Sequence, residues 1–223
     1  MSAVPKPRKL TVAEYLAIEA TAEHKSEFFD GEMFLVHPPA GPRLMAGANK
    51  EHNVVFRNLF TELAILLKGG PCELFAADQR VKIDRSKSYC YPDLLIVCGE
   101  PEYAADDPDA LTNPKVVIEV LSPSTERYDR TTKFRHYAAL PSVQEYVLVA
   151  QDEPLVERFV RLPDGQWGRT EFAGPDATLT LASVPATVPL ADVYRRVAFP
   201  PARPHRPAYN MPASPGVPPA SGG

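Results

Sequence analysis

Glu119 stands within Val116-Val117-Ile118-Glu119-Val120-Leu121, an otherwise apolar run of the kind found in strands covered on both faces. Burying an ionised carboxylate without a partner is prohibitive, so this side chain must be protonated, paired with a cation or bound to a metal. Asp93 has a similar setting, following Tyr91-Pro92 and opening Leu94-Leu95-Ile96-Val97, with proline where a strand tolerates it. Two neighbouring strands that each carry one acidic residue can bring both carboxylates to one divalent cation, and all-oxygen ligation favours Mg²⁺ or Mn²⁺ over zinc. Lys133 is the third candidate, because its ammonium could orient a water or meet charge developing on a phosphate. Asp129 lies four residues earlier, so a surface Asp-Lys pair at helical spacing accounts for the same two residues. His52 is a candidate general base or phosphate contact, or a structural hydrogen-bonding group.

The elements that must position these groups are legible in outline. Thr11 with Glu14 forms a capping-box pattern ahead of a helix over 12–22. Asp30-Gly31 between two short apolar runs, 27–29 and 32–36, predicts a tight hairpin, and residues 37–43 form a Pro/Gly loop. Apolar residues at helical spacing predict a long amphipathic helix from about 49 to 68, stopped at Gly69-Gly70-Pro71. Strands are expected over 73–83, 91–98 and 115–121, the last two central in the sheet. Ser122-Pro123-Ser124-Thr125-Glu126 reads as a strand-to-helix turn with Ser124 or Thr125 capping a helix that runs to about Leu140. A strand over 145–150, a hairpin over 155–172, a short strand near 178–181 and a helix over 190–196 complete the pattern.

Composition bounds the answer. The chain has 223 residues, 44% hydrophobic and 23% charged, enough to bury one sizeable core. Its longest apolar run is far too short for a membrane span, and no apolar core follows Lys6, Arg8 and Lys9, so a cytoplasmic protein is expected. Cys72, Cys90 and Cys98 contain no C-x-x-C pair, which predicts reduced, buried thiols and disfavours a zinc ribbon or a disulfide framework. The net charge of −4 conceals an acidic run over 100–109 and a basic segment after Lys115, so a polyanionic partner is not excluded. Phosphate-loop, dinucleotide, zinc-protease and nucleophile-elbow motifs are absent.

Taken together, Tyr91-Pro92-Asp93, then Val117-Ile118-Glu119-Val120-Leu121-Ser122-Pro123-Ser124-Thr125, Asp129-x-x-x-Lys133 and Glu145-Tyr146 resemble the Uma-two family of restriction-endonuclease-like proteins. Glu27-x-x-Asp30-Gly31-Glu32 and His52-Asn53 fit the same resemblance, which covers roughly residues 10–197. It implies the PD-(D/E)xK nuclease fold, an α/β (α+β) mixed sheet flanked by helices with an N-terminal helix and hairpin and a C-terminal hairpin. Flanking it would be a flexible N-terminus over 1–10 and a disordered Pro-rich tail over 198–223. It further implies Asp93 and Glu119 as ligands of Mg²⁺ or Mn²⁺, Glu27 as an additional acidic group and Asp78 as a possible further one. The lysine of the superfamily's E-x-K pattern would fall at Leu121, which makes Lys133 the substitute. Arg127 and Arg130 are candidate phosphate contacts on a nucleic acid, DNA by resemblance, and a homodimer is expected by analogy with related folds. The rival reading is a noncatalytic module that keeps the fold and binds nucleic acid or a protein; a hydrolase of small phosphate esters is a third.

Overall fold

The computed structural model describes residues 8–36, 50–83 and 87–199. The expected loop over 37–43 and the tail beyond Phe199 lie outside these. In chain order the elements are α1 (Val12–Glu19), β1 (Ser26–Phe29), β2 (Glu32–Leu35), α2 (Lys50–Leu67), β3 (Cys72–Ala76), β4 (Arg80–Ile83), β5 (Ser88–Cys90), β6 (Leu94–Cys98), β7 (Tyr103–Ala104), β8 (Asp107–Leu111) and β9 (Val116–Leu121). There follow α3 (Glu126–Tyr128), a wide π turn (Asp129–Lys133), α4 (Phe134–Ala138), β10 (Glu145–Ala150), β11 (Leu155–Arg161), β12 (Trp167–Ala173), β13 (Thr178–Thr180), β14 (Thr187–Pro189) and α5 (Leu190–Val193). No helix among the described residues is long and apolar enough to cross a membrane.

The strands divide between two six-stranded sheets, ordered β2-β1-β5-β4-β8-β7 and β12-β11-β10-β9-β6-β3, with β13-β14 apart. Each large sheet is mixed, holding one parallel pair: β4 with β8 in the first and β9 with β10 in the second. One mixed sheet was the expectation, and two are found. The run read as a single strand over 73–83 breaks at Ala77–Gln79 and passes from one sheet to the other, whereas the run over 91–98 yields only β6, from Leu94, because Tyr91–Asp93 is the segment by which the chain crosses from β5 in the first sheet. Apolar continuity cannot reveal such a crossing, because both halves are covered. The acidic run contributes β7 and β8, which residues such as Asp and Pro disguise. Asp107 is buried there because Arg80 grips both its oxygens, Nε at 2.8 Å and Nη2 at 2.9 Å.

Alternation along β9 puts Val116, Ile118 and Val120 into a core shared with α2, β13, β14 and α5. Val117 and Leu121 face the opposite core, which joins the second sheet to α4 and to Val81, Ile83 and Cys90 of the first. Glu119 shares that second face. A smaller cluster of Tyr15, Phe28 and Tyr89 seats α1 on the first sheet. The capping box forms as expected, with Glu14 N donating to Thr11 Oγ1 and Thr11 N to Glu14 Oε2, although α1 stops at Glu19. The Asp30-Gly31 turn has φ of 42° and 88°, the paired positive values of a type I′ hairpin.

The cysteine expectation is corrected. Cys72 and Cys98 lie opposite each other in the antiparallel β3–β6 pair and are joined by a disulfide, whereas Cys90 is free and buried. Sequence spacing could not show that register brings two residues 26 positions apart face to face.

Candidate active site

The site forms where the chain leaves β5 for β6. Pro92 has no N–H to offer a ladder, and the main chain of Tyr91 and Asp93 turns inward to serve carboxylates instead. Tyr91 N donates to Glu27 Oε1 at 3.1 Å, and Asp93 N donates to Glu119 Oε2 at 3.3 Å. In return, Val120 N donates to Asp93 Oδ2 at 2.7 Å. Asp93 and Glu119 are thus tied by reciprocal side-chain to main-chain bonds between the two segments.

Lys133 enters from the helical side. The turn over Asp129–Lys133 is wider than an α turn, and it directs Asp129, Arg130 and Lys133 all towards the sheet. Lys133 is 6% exposed. Its Nζ lies 2.9 Å from Glu119 Oε1, 3.5 Å from Glu27 Oε1 and 3.8 Å from Asp129 Oδ1, and it donates to Tyr91 O at 2.9 Å. The surface Asp-Lys pair is therefore excluded by burial. Glu27, reached from the β1 hairpin strand, is held on its other oxygen by Tyr128 Oη at 2.7 Å. From the first turn of α2, His52 Nε2 approaches Asp93 Oδ2 to 3.4 Å.

Five of the expected residues therefore meet: Glu27, His52, Asp93, Glu119 and Lys133. Three others do not join them. Asp78 is exposed, pairs with Lys25 and sits at the rim of a cleft of about 500 Å³ formed with Arg80, Tyr91, Tyr103 and Asp109. Arg130 is buried between Glu126, 2.9 Å away, and Glu157, so its guanidinium is committed within the protein. Arg127 is exposed beside the site's helix, open to solvent. Ser122 Oγ accepts from Thr125 N at 3.2 Å, the turn role expected of this segment, although Ser122 supplies the contact assigned to Ser124 or Thr125. Sequence reasoning missed Asp129 as a member of the cluster and missed Tyr128. The i, i+4 spacing from Asp129 to Lys133 was the available signal, but it gives no sign of which face is buried.

Four carboxylates gather round one ammonium, and their ionisation follows. Burial drives the Glu119 carboxyl well above its ordinary range, with Asp129 and Asp93 adding to the effect and Lys133 opposing it. Burial likewise pushes Asp129 up to about 6. Burial also acts upward on Asp93, but His52, Lys133 and Val120 N outweigh it and hold this carboxyl below the usual value. Burial would lower Lys133, yet Glu119, Glu27, Asp129 and Asp93 keep it well above the ordinary lysine range, hence charged.

This surplus of buried negative charge is what a divalent cation would balance. Glu119 Oε1 is fully buried and, although close to Lys133, has no donor aligned on it as a hydrogen bond. The donors are oxygen only, and Mg²⁺ is commonly bound by one or two carboxylates with water completing its shell. Among the described residues no group of three His, Cys, Asp or Glu side chains is arranged to hold a metal ion, so an ion at Asp93 and Glu119 would depend on water for the rest of its shell.

A mixed sheet carrying Pro-Asp at one strand entry and a buried Glu on the neighbouring strand, with a lysine closing on that Glu, fits a restriction-endonuclease-like nuclease fold. Residues 12–191 match the model of the family described as "Uma2: Putative restriction endonuclease", and the chain belongs to that family. It is 36% identical over 179 residues to the uncharacterized protein sll1609 of Synechocystis sp. (strain ATCC 27184 / PCC 6803 / Kazusa), an alignment covering 80% of this chain and 96% of that one. The uncharacterized protein slr1290 of the same organism is 34% identical over 191 residues, covering 86% and 94%. Among solved structures, a DUF820 protein of Anabaena variabilis ATCC 29413, described as a "putative nuclease", superposes with a TM-score of 0.62 at 19% identity, covering 83% of this chain and 97% of that one. That likeness shows the fold.

Proposed function

We propose that this protein is a Mg²⁺- or Mn²⁺-dependent endonuclease that hydrolyses phosphodiester bonds of DNA. The observation that carries the reading is the position of Lys133. Leu121, where the E-x-K lysine would stand, is buried in the core facing α4, and the ammonium arrives from the helix instead, 2.9 Å from Glu119. The charge is thus relocated rather than lost.

Asp93 and Glu119 would hold the ion. When bound there, Mg²⁺ supplies charge stabilisation at the scissile phosphate and lowers the pKa of an attacking water. Lys133, fixed by Tyr91 O and by Glu27, presents a positive charge beside Glu119, where it would meet negative charge developing on the phosphoryl group. His52, beside Asp93, is placed to orient that carboxylate or to contact a phosphate oxygen. Arg127 is available outside as a phosphate contact that positions the duplex without reading its sequence.

The test is a substrate panel with the full chain: supercoiled, linear and single-stranded DNA, RNA and a small phosphodiester, each with Mg²⁺, Mn²⁺ or chelator. Chelator-sensitive cutting of DNA supports the proposal. Cutting of the small ester alone, or binding of DNA without cutting, would replace it by the esterase or the noncatalytic reading.

A further inference from the structure

The second sheet ends at β12, an exposed strand whose sequence is complementary to itself. The hydrogen bonds closing the two ends of the β11–β12 hairpin set its phase: Leu162 N donates to Gln166 O at 2.7 Å, and Gly174 N to Pro154 O at 2.9 Å. With the register running from Leu155 opposite Ala173 to Arg161 opposite Trp167, the even-numbered residues of β12 bond inward to β11. The main-chain N–H and C=O groups of Trp167, Arg169, Glu171 and Ala173 therefore point to the open side. Among the described residues no strand occupies that side.

We propose that a second copy of this chain does, pairing β12 with β12 antiparallel about a two-fold axis at Thr170. Only odd residues can pair with odd residues across this edge, so the registers differ in steps that the charges discriminate. Centring on Arg169 sets that arginine against the partner's Arg169, and centring on Glu171 sets two glutamates together; like charges directly opposite are destabilising. Centring on Thr170 sets Arg169 against the partner's Glu171 twice over, and Trp167 against the partner's Ala173. Arg169, Thr170, Glu171 and Ala173 are exposed, as this requires. Charges on an edge ordinarily prevent pairing with arbitrary strands. Here they admit one register and refuse its neighbours. A two-fold contact of this kind is isologous and closed, so it stops at a dimer with a continuous twelve-stranded sheet.

The test is charge exchange read by sedimentation equilibrium on the full chain. Wild type is expected to be a dimer, and Glu171→Arg and Arg169→Glu are each expected to be monomers, since each sets like charges across the axis. Mixed one to one, the two variants are expected to form a heterodimer, because all four charges then face opposites. Arg169 also contacts Glu157 and Glu171, each at 2.7 Å, within its own chain, so circular dichroism of Arg169→Glu and of Glu171→Arg is checked first; should Arg169→Glu misfold, the folded Glu171→Arg, expected to be a monomer, carries the test. A monomeric wild type, as would follow if another part of the chain covered the edge, overturns the proposal. So does a dimer that survives Glu171→Arg, or a mixture that does not associate.

Discussion

Lys133 is the residue on which the cluster depends most heavily, because it is one cation facing Glu27, Glu119 and Asp129 where water cannot screen them. Lys133→Met leaves those carboxylates uncompensated, and removing one partner of a buried ion pair costs about 3–5 kcal/mol. Urea denaturation is expected to show a loss of that order, whereas Arg127→Ala on the exposed face should change stability by less than about 0.5 kcal/mol. The raised carboxyl of Asp129 gives a pH dependence of definite sign. A group whose folded pKa lies above its unfolded value stabilises the protein fully below the unfolded value, and that contribution is lost as pH rises through about 6. Glu119, raised further, extends the loss to higher pH. Mg²⁺ competes with these protons, so the rise in Tm that it produces should be larger near pH ~8 than near pH ~5, and Asp93→Asn should abolish it. An equal rise at both values would show that the ion binds elsewhere.

At the scale of elements, the order of the site comes from short connections between rigid strands. Arg130 ties the π turn to β11 through Glu157, and Tyr146 Oη on β10 donates to Asp129 O at 2.9 Å, so the helix bearing Lys133 is fastened to both neighbouring strands. Asn58 fastens α2 in the same way: its side-chain nitrogen donates to Val193 O at 3.0 Å and Arg195 O at 2.8 Å. Asn58→Leu should cost about 1–3 kcal/mol in denaturant unfolding by stranding two carbonyls, while leaving the Mg²⁺ response of Tm in place. These elements were unequally legible. The apolar periodicity of α2, the Thr11 capping box and the Asp30-Gly31 turn all declare themselves locally, and each forms where expected. By contrast, the crossings at Ala77–Gln79 and Tyr91–Asp93 depend on which sheet receives each half, which no local pattern encodes. β8 is hidden because Asp107 is compensated by Arg80, 27 residues earlier. Within the site, Glu119 was conspicuous as a lone charge among apolar neighbours. Tyr128 and Asp129 look like any polar residues on a helix, and only the widened turn brings Asp129 inside.

For the whole molecule, two sheets and their covering helices converge on one group of ionisable side chains. The first sheet delivers Glu27, the second Glu119, and the segment joining them Asp93, so the site cannot form unless both sheets are assembled. The Cys72–Cys98 disulfide closes the stretch of chain that contains this junction. Closing a loop of that length stabilises by about 3–4 kcal/mol on the chain-entropy estimate, so reductant should lower the denaturation midpoint without altering the cluster itself. The central claim, however, is chemical, and the most direct measurement is Mg²⁺-dependent cleavage of supercoiled DNA by wild type, Asp93→Asn, Glu119→Gln and Lys133→Met purified side by side. Wild type should cut, and each variant, shown by circular dichroism to be folded, should lose about a hundredfold or more of that activity. Equal cutting by wild type and Asp93→Asn, or no cutting by wild type with either metal, would contradict the account.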